Sequence, residues 1–230
     1  MKSHIFYDYD GTLGDSLPGH MLFICDADRK FNTGLKLPSL DDYETWKRMI
    51  GMPMEAFLKN IGFPEKTIPD IMSIYEKTFG ANSEYASSLF PGIPEVIKTM
   101  FDAGVNQSIL SSNFSGNIRP ALKKCSLEGY FAYLIDRESM RHYHNGSKAD
   151  CLRRYNNRLG LATNECIYVG DAEADFEAAS NAGVIFVGVS YGWQIHPGDK
   201  RFPVANTPSQ LQRILLGLTN HEKSKDTKEN

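Results

Sequence analysis

The chain has no marked charge excess, no cysteine pairing pattern and no long apolar run. Its 28 acidic and 25 basic residues nearly cancel, giving a net charge of −3. Both signs are mixed along the sequence, which argues against the basic stripe of a nucleic-acid binder and the polybasic patch of a membrane-surface protein. Cys25, Cys125, Cys151 and Cys166 are scattered without a C-x-x-C pair. In a chain of 230 residues that usage reads as reduced thiols rather than a disulfide framework. No apolar stretch approaches the ~20 residues of a membrane span. Met1-Lys2-Ser3-His4 runs straight into Ile5-Phe6-Tyr7, leaving no room for a secretory h-region. The sequons Asn113-Phe114-Ser115 and Asn145-Gly146-Ser147 therefore have no secretory context. The expectations are a cytoplasmic location and neither a nucleic-acid nor a membrane partner.

What is present has the balance of an ordinary globular protein, with 41% hydrophobic and 23% charged residues. Three short apolar runs each end abruptly in polar residues: Ile5-Phe6-Tyr7 at Asp8, Ser108-Ile109-Leu110 at Ser111-Ser112-Asn113, and Cys166-Ile167-Tyr168-Val169 at Gly170-Asp171. Such runs predict buried strands of a parallel sheet. A fourth, Val184 to Val189, ends in Ser190-Tyr191-Gly192. Helical patterns separate them. One runs from Pro94 to Ala103 and stops at Gly104, and one follows a capping Ser115. Another opens at Ser147 and closes at Gly160, a fourth spans Asp175 to Ala182, and a last one opens at Thr207-Pro208. Alternating strand and helix predicts an α/β fold with a Rossmann-like parallel sheet.

Residues 17–87 break the alternation. The stripe Ile68, Ile71, Met72, Tyr75, Phe79 has amphipathic helical spacing. The segment reads as a small helical domain inserted after the first strand, with the core formed by residues 1–16 and 88–218. Residues 219–230 lack apolar positions and are expected to form a disordered tail.

In open parallel sheets ligands bind beyond the carboxyl ends of the strands. That rule gathers Asp8, Asp10, Ser112 and Asp171 around one crevice. Asp8 and Asp10 stand two apart where a strand gives out, so an extended backbone aims both to one face. Two carboxylates in one cleft repel unless a cation bridges them or one stays protonated, and Mg²⁺ suits oxygen donors. A plain strand-end turn with two solvated aspartates is the alternative. Ser112 and Asn113 could offer a hydroxyl and backbone N–H groups to a phosphate oxygen, or merely open a helix. Lys148 lies in the first turn of its helix, where the macrodipole disfavours a cation by roughly 0.3–1 kcal/mol. A bound anion there would explain it, and an exposed surface lysine is the bland alternative. Asp171 and Asp175, one helical turn apart, could hold a metal directly and through its water shell. His142 and His144 lack a third ligand and read as surface residues.

Taken in order, these segments resemble the haloacid dehalogenase superfamily over nearly the whole chain. Asp8-Tyr9-Asp10-Gly11-Thr12-Leu13-Gly14-Asp15-Ser16 looks like its first motif, Leu110-Ser111-Ser112-Asn113 its second, Lys148 its third and Gly170-Asp171-x-x-x-Asp175 its fourth. The insert at 17–87 sits where that superfamily carries a helical cap. The resemblance implies a phosphatase, similar to phosphoglycolate phosphatases, acting on a small phosphorylated metabolite as a monomer or homodimer. In that reading Asp8 attacks phosphorus, and Asp10 serves as acid and then base. Ser112, Asn113 and Lys148 hold the phosphoryl group. Asp8, the Asp10 carbonyl and Asp171 bind Mg²⁺, with Asp175 in support. His20 and Arg48 are expected on the substrate side. Two residues depart from the pattern: Tyr9 replaces the usual aliphatic residue or Phe, and Ala149 follows Lys148 where proline is common.

Two alternatives stand beside the phosphatase. One is a phosphomutase resembling β-phosphoglucomutase, motivated by His20 near the acid/base aspartate. Met54 opposes it, standing where the mutase-like pattern carries an arginine. The other is a non-catalytic binding or regulatory protein on the same fold.

Overall fold

The computed structural model describes residues 3–78, 84–143 and 146–220. The chain opens on β1 (His4–Tyr7) and a short β2 (Gly14–Asp15). Helices α1 (Leu17–Phe31), α2 (Tyr43–Met49), α3 (Met54–Asn60) and α4 (Ile68–Thr78) follow. β3 (Ser88–Leu89) then returns antiparallel to β2, pairing Gly14 with Leu89 and Asp15 with Ser88. Beyond it come α5 (Ile93–Asp102), β4 (Asn106–Leu110), α6 (Ser115–Lys124) and β5 (Tyr133–Ile135). Next are α7 (Arg137–Tyr143), α8 (Lys148–Leu159), β6 (Cys166–Gly170) and α9 (Glu173–Ala182). The chain finishes with β7 (Ile185–Val189), β8 (Val204–Ala205) and α10 (Pro208–Asn220).

The main sheet has six strands in the order β5-β4-β1-β6-β7-β8, all parallel. Its apolar runs are continuous because both faces are covered. Alternate residues go to opposite sides. Ile5 and Tyr7 join Ile109, Ile167 and Val169 under α5, α6 and α10. Phe6, Leu110, Tyr168 and Phe186 join Leu152 and Ala179 of α8 and α9. β1 lies between β4 and β6, and Tyr7 is in register with Ile109 on one side and Val169 on the other. From β1 the chain adds strands first toward β5 and later toward β8, so the order reverses at β1. The crevice beyond its carboxyl end is the switch point where such folds hold ligands.

The helices between β2 and β3 build their own apolar cluster, with Met21 and Ile24 of α1, Trp46 of α2, Phe57 of α3 and Ile71 and Tyr75 of α4. Ile68, Ile71, Met72 and Tyr75 of the expected stripe are buried, and Phe79 lies outside the described residues. The β2–β3 pair has a local requirement. Tyr9 is fully buried beneath it, and a Cβ on Gly14 would lie 2.7 Å from the Tyr9 ring. The Tyr9 hydroxyl lies 2.5 Å from Ser87 Oγ. The residue that departs from the family pattern thus links the end of β1 to the point where the chain returns from the helices.

Several local expectations need correction. α10 continues to Asn220, and the Thr219 hydroxyl donates to Leu215 O at 2.9 Å, so the last helix includes the residue expected to begin a tail. Residues 221–230, and His144 of the H-x-H pair, lie outside the described residues. Ser115 begins α6 rather than capping it; its backbone N–H donates to Asp136 Oδ2 at 3.1 Å. The short strands β5 and β8 escape a reading based on long apolar runs. Among the described residues no helix is long and apolar enough to cross a membrane.

His4 yields one stability prediction. It is buried at the start of β1, with Nε2 2.9 Å from Ser108 Oγ and its ring stacked on Phe6. Burial pushes the imidazole down from 6.5 to about 4. Folding therefore selects the neutral ring, and this contribution is complete above the unfolded value and lost as the pH falls toward the folded one. The loss from this group amounts to at most about 3 kcal/mol. His4→Gln should flatten that acid limb in urea titrations taken at stepped pH. An unchanged slope would show that His4 does not carry it.

Candidate active site

The site grows from strand ends placed side by side. Asp8 leaves β1 with its backbone N–H donating to Val169 O at 2.9 Å, which extends the ladder one residue. The chain then turns sharply at Gly11, whose φ is +72° and where a Cβ would stand 2.1 Å from Asp171 Oδ2. Only glycine fits that approach. Asp171 follows β6 in the matching position. Its Oδ1 accepts from the Thr12 hydroxyl at 3.2 Å and its Oδ2 from the Trp193 backbone N–H at 2.8 Å. Asp175, one turn into α9, accepts from the Tyr168 hydroxyl at 2.9 Å and from Lys148 Nζ at 2.7 Å.

Lys148 enters from the start of α8, held there by Ser147, whose Oγ accepts the Asp150 N–H. Its Nζ also lies 3.1 Å from Asp8 Oδ1. The expectation of a cation aimed at an anion is met in part by the protein's own carboxylates. Burial pulls the Lys148 ammonium down, but Asp175 and Asp8 outweigh it and hold the pKa well above the ordinary lysine range.

Asp8, Asp171 and Asp175 are buried, and one oxygen of each lies within 4.8 Å of the other two. Burial pushes Asp8 up to about 7, with Lys148 opposing and Asp175 and Asp10 reinforcing the shift. Asp171 is raised well above the carboxylate range by burial, then by Asp175 and Asp8. Three acids face one ammonium, so the cluster is short of positive charge. An oxygen-only, carboxylate donor set fits a hard divalent cation.

The Asp10 carboxylate turns away from that cluster. The Asn113 amide donates to both of its oxygens at 2.9 Å, and His20 Nε2 lies 3.9 Å from Oδ1. Burial raises its pKa, but His20, Ser16 and Asn113 outweigh burial and hold it below the usual value. Two acids two residues apart thus sit in opposite electrostatic settings.

A crevice of about 530 Å³ opens over these groups. Asp8, Asp10, His20, Ser112, Asn113, Lys148, Asp171 and Asp175 all line it. Ser112 is exposed at its edge, free to meet a ligand oxygen. Two expectations on the substrate side change. Asn113 is buried and spends its amide on Asp10, so it positions that acid. Arg48 does not line the crevice: α2 buries Trp46, whose indole N–H donates to Ser39 O, and this phase turns Arg48 outward. Residues that sequence reasoning misses include Trp193, Arg137 and Arg141. A usable signal precedes the arginines, since Tyr133-Leu134-Ile135 also ends abruptly in Asp136-Arg137.

A parallel sheet whose central strand ends in a buried carboxylate, ringed by a serine, a lysine and further acids, defines a class that comparison identifies. Residues 5–189 match the haloacid dehalogenase-like hydrolases, and the chain belongs to that family. Over 199 residues it is 28% identical to a 5′-nucleotidase of Pseudomonas aeruginosa, covering 83% of each chain. It is 23% identical to a phosphoglycolate phosphatase of Pseudomonas savastanoi, over 82% of this chain and 70% of that one. Its fold superposes on a haloacid dehalogenase-like hydrolase from Streptococcus pneumoniae with a TM-score of 0.76, at 20% identity, covering 93% and 98% of the two chains.

Proposed function

We propose that the chain is a Mg²⁺-dependent phosphatase that hydrolyses a small phosphate monoester, phosphoglycolate-like or a sugar phosphate, through an aspartyl-phosphate on Asp8. The observation that carries this reading is the buried Asp8 carboxylate, 3.1 Å from Lys148 and clustered with Asp171 and Asp175. A nucleophile, its counter-charge and a cation site converge on one point. The named activities of the curated relatives, a 5′-nucleotidase and a phosphoglycolate phosphatase, are both removals of phosphate from monoesters.

In the proposed cycle a carboxylate oxygen of Asp8 attacks phosphorus in line, and the bond to the leaving alkoxide breaks. Asp10 gives that alkoxide its proton. The arriving phosphate places negative charge beside Asp10 and raises its affinity for the proton it must carry. In the second half Asp10 takes a proton from water as that water attacks the acyl phosphate, releasing inorganic phosphate and freeing Asp8. Asn113 holds the Asp10 carboxylate through both halves. Lys148 and the Ser112 hydroxyl hold phosphoryl oxygens. Asp8, Asp171, Asp175 and the Asp10 carbonyl would hold Mg²⁺, which supplies positive charge to the transferring group. The helices between β2 and β3 act as a cap that closes the crevice to water.

The phosphomutase alternative keeps His20 beside Asp10. Met54 lines the crevice where the mutase-like pattern carries an arginine, and Arg48 does not line it. Hydrolysis is favoured by that departure together with the phosphatase activities named for the relatives. The test is p-nitrophenyl phosphate turnover. Stripping divalent ions with EDTA should silence it and added Mg²⁺ should restore it, with thermal stability rising on Mg²⁺ addition. Turnover unaffected by chelation would exclude the metal-assisted route. No turnover of any ester, with Mg²⁺ bound, would favour a non-catalytic role.

A further inference from the structure

We propose that Arg137 and Arg141 form a second anion site in the crevice, so that the preferred substrate is a phosphate ester bearing a further anionic group. This rests on the phosphatase reading above and narrows its substrate class. α7 begins directly after β5, on the same carboxyl side of the sheet as Asp8. Its first turn is fixed from several sides. Asp136 accepts from the Ser139 N–H and hydroxyl and from the Ser115 N–H. The Arg137 N–H donates to Asn113 O at 2.9 Å, which ties α7 to the residue that holds Asp10. The backbone under both arginines is thus anchored to the reaction centre.

The side chains are arranged for a ligand rather than for each other. Arg137 and Arg141 are one helical turn apart, on neighbouring positions of one face, and both line the crevice. The Arg137 guanidinium lies over the Phe114 ring, 5.3 Å from its centroid, which orients it. Among the described residues neither arginine forms an ion pair, and burial together with Arg141 makes the charged form of Arg137 less favourable. Like charges at this spacing repel, and a bound anion would relieve both that repulsion and the desolvation of Arg137. The phosphoryl group does not need them, since Lys148, Ser112 and the cation site already face it. A crevice of about 530 Å³ also leaves room beyond one phosphoryl group. A planar guanidinium pair suits a carboxylate or a second phosphate.

The competing account makes Arg137 a latch toward Glu55 or Glu76 on α3 and α4, whose charges act on it without a contact. The experiment separates the two. With the full-length protein and Mg²⁺, kcat/KM is measured for ester pairs that differ mainly in one charge: phosphoglycolate against hydroxyethyl phosphate, phosphoglycerate against glycerol phosphate, phosphogluconate against sorbitol phosphate. A fructose bisphosphate against a fructose monophosphate distinguishes a second phosphate from a carboxylate. At one length the doubly anionic member should be preferred about 30-fold or more. Arg137→Gln and Arg141→Gln should each lower that ratio about tenfold, chiefly through KM, with Arg137→Lys keeping part of it. p-Nitrophenyl phosphate turnover with ratios near unity at every length would overturn this proposal alone. A preference that survives both Gln variants would do the same. Absence of all turnover would remove the phosphatase reading beneath it.

Discussion

Asp8→Asn should remove turnover by roughly 10⁴-fold or more while making the metal-free protein more stable. Loss of activity follows from the proposed role, because an amide oxygen is a far weaker nucleophile and no neighbouring side chain stands at its position. The gain in stability follows from burial. Asp8 is sealed beside Asp171 and Asp175, and its raised pKa reports that the folded chain disfavours its charge. Lys148 loses one partner in the variant but keeps Asp175 at 2.7 Å. The net change should be a gain of about 1–3 kcal/mol. Aryl phosphate assays and urea titrations in EDTA read the two effects separately. Turnover within tenfold of wild type would defeat the assignment of Asp8 as nucleophile. A variant less stable than wild type would contradict the electrostatic account of the cluster.

Lys148→Met should move stability in the opposite direction. The ammonium is the cation that faces Asp8 and Asp175 among the described residues, at 3.1 and 2.7 Å. Methionine fills similar space without charge, so the acids lose their neutralising partner. Breaking a buried pair from one side costs about 3–5 kcal/mol, and activity should fall roughly 10³-fold because the phosphoryl group loses its counter-charge. Mg²⁺ should recover part of the stability, since a cation among the carboxylates restores positive charge there. It should recover little of the activity. Denaturation with and without Mg²⁺ tests this, and Lys148→Arg offers a folded variant with the charge restored. Equal stability of the Met variant and wild type in EDTA would mean that the carboxylates are protonated rather than paired.

The strand ends that carry the chemistry are legible because a parallel strand buried on both faces leaves a continuous apolar run. The residue that breaks the run lies at the sheet's carboxyl edge. That logic reaches Asp8, Ser112 and Asp171, and helix-start chemistry reaches Lys148. It leads to Arg137 only through Tyr133-Leu134-Ile135, a run at the sheet edge that ends in Asp136-Arg137, and nothing local shows that this arginine lines the crevice. Arg48 is misjudged for another reason. Its direction depends on the rotation of α2, set by how Trp46 seats among the other helices, and a local pattern does not encode that. Asn113 illustrates a third limit. Its position near the crevice is readable, but whether its amide meets a ligand or Asp10 depends on a contact 103 residues distant. The Trp193 N–H on Asp171 is a backbone donor, and any residue other than proline there would present the same group.

The β2–β3 pair has a consequence for how such a protein diversifies. The helices it brackets have their own apolar cluster, separate from the two that sandwich the sheet. Cooperative folding units with distinct cores tolerate substitutions independently, each drawing on its own margin. Met54 and Phe57 line the crevice from that cluster, so exchanging them is expected to disturb the strands that aim Asp8 and Asp171 less than a change beneath the sheet would. Tyr75, by contrast, stacks on His20 beside Asp10. Contacts such as Tyr9 to Ser87 and Gln194 to Ile50 O still bridge the two units. Part of the crevice lining can change on the helices between β2 and β3 while Arg137, Arg141 and the reacting acids stay on the elements of the main sheet.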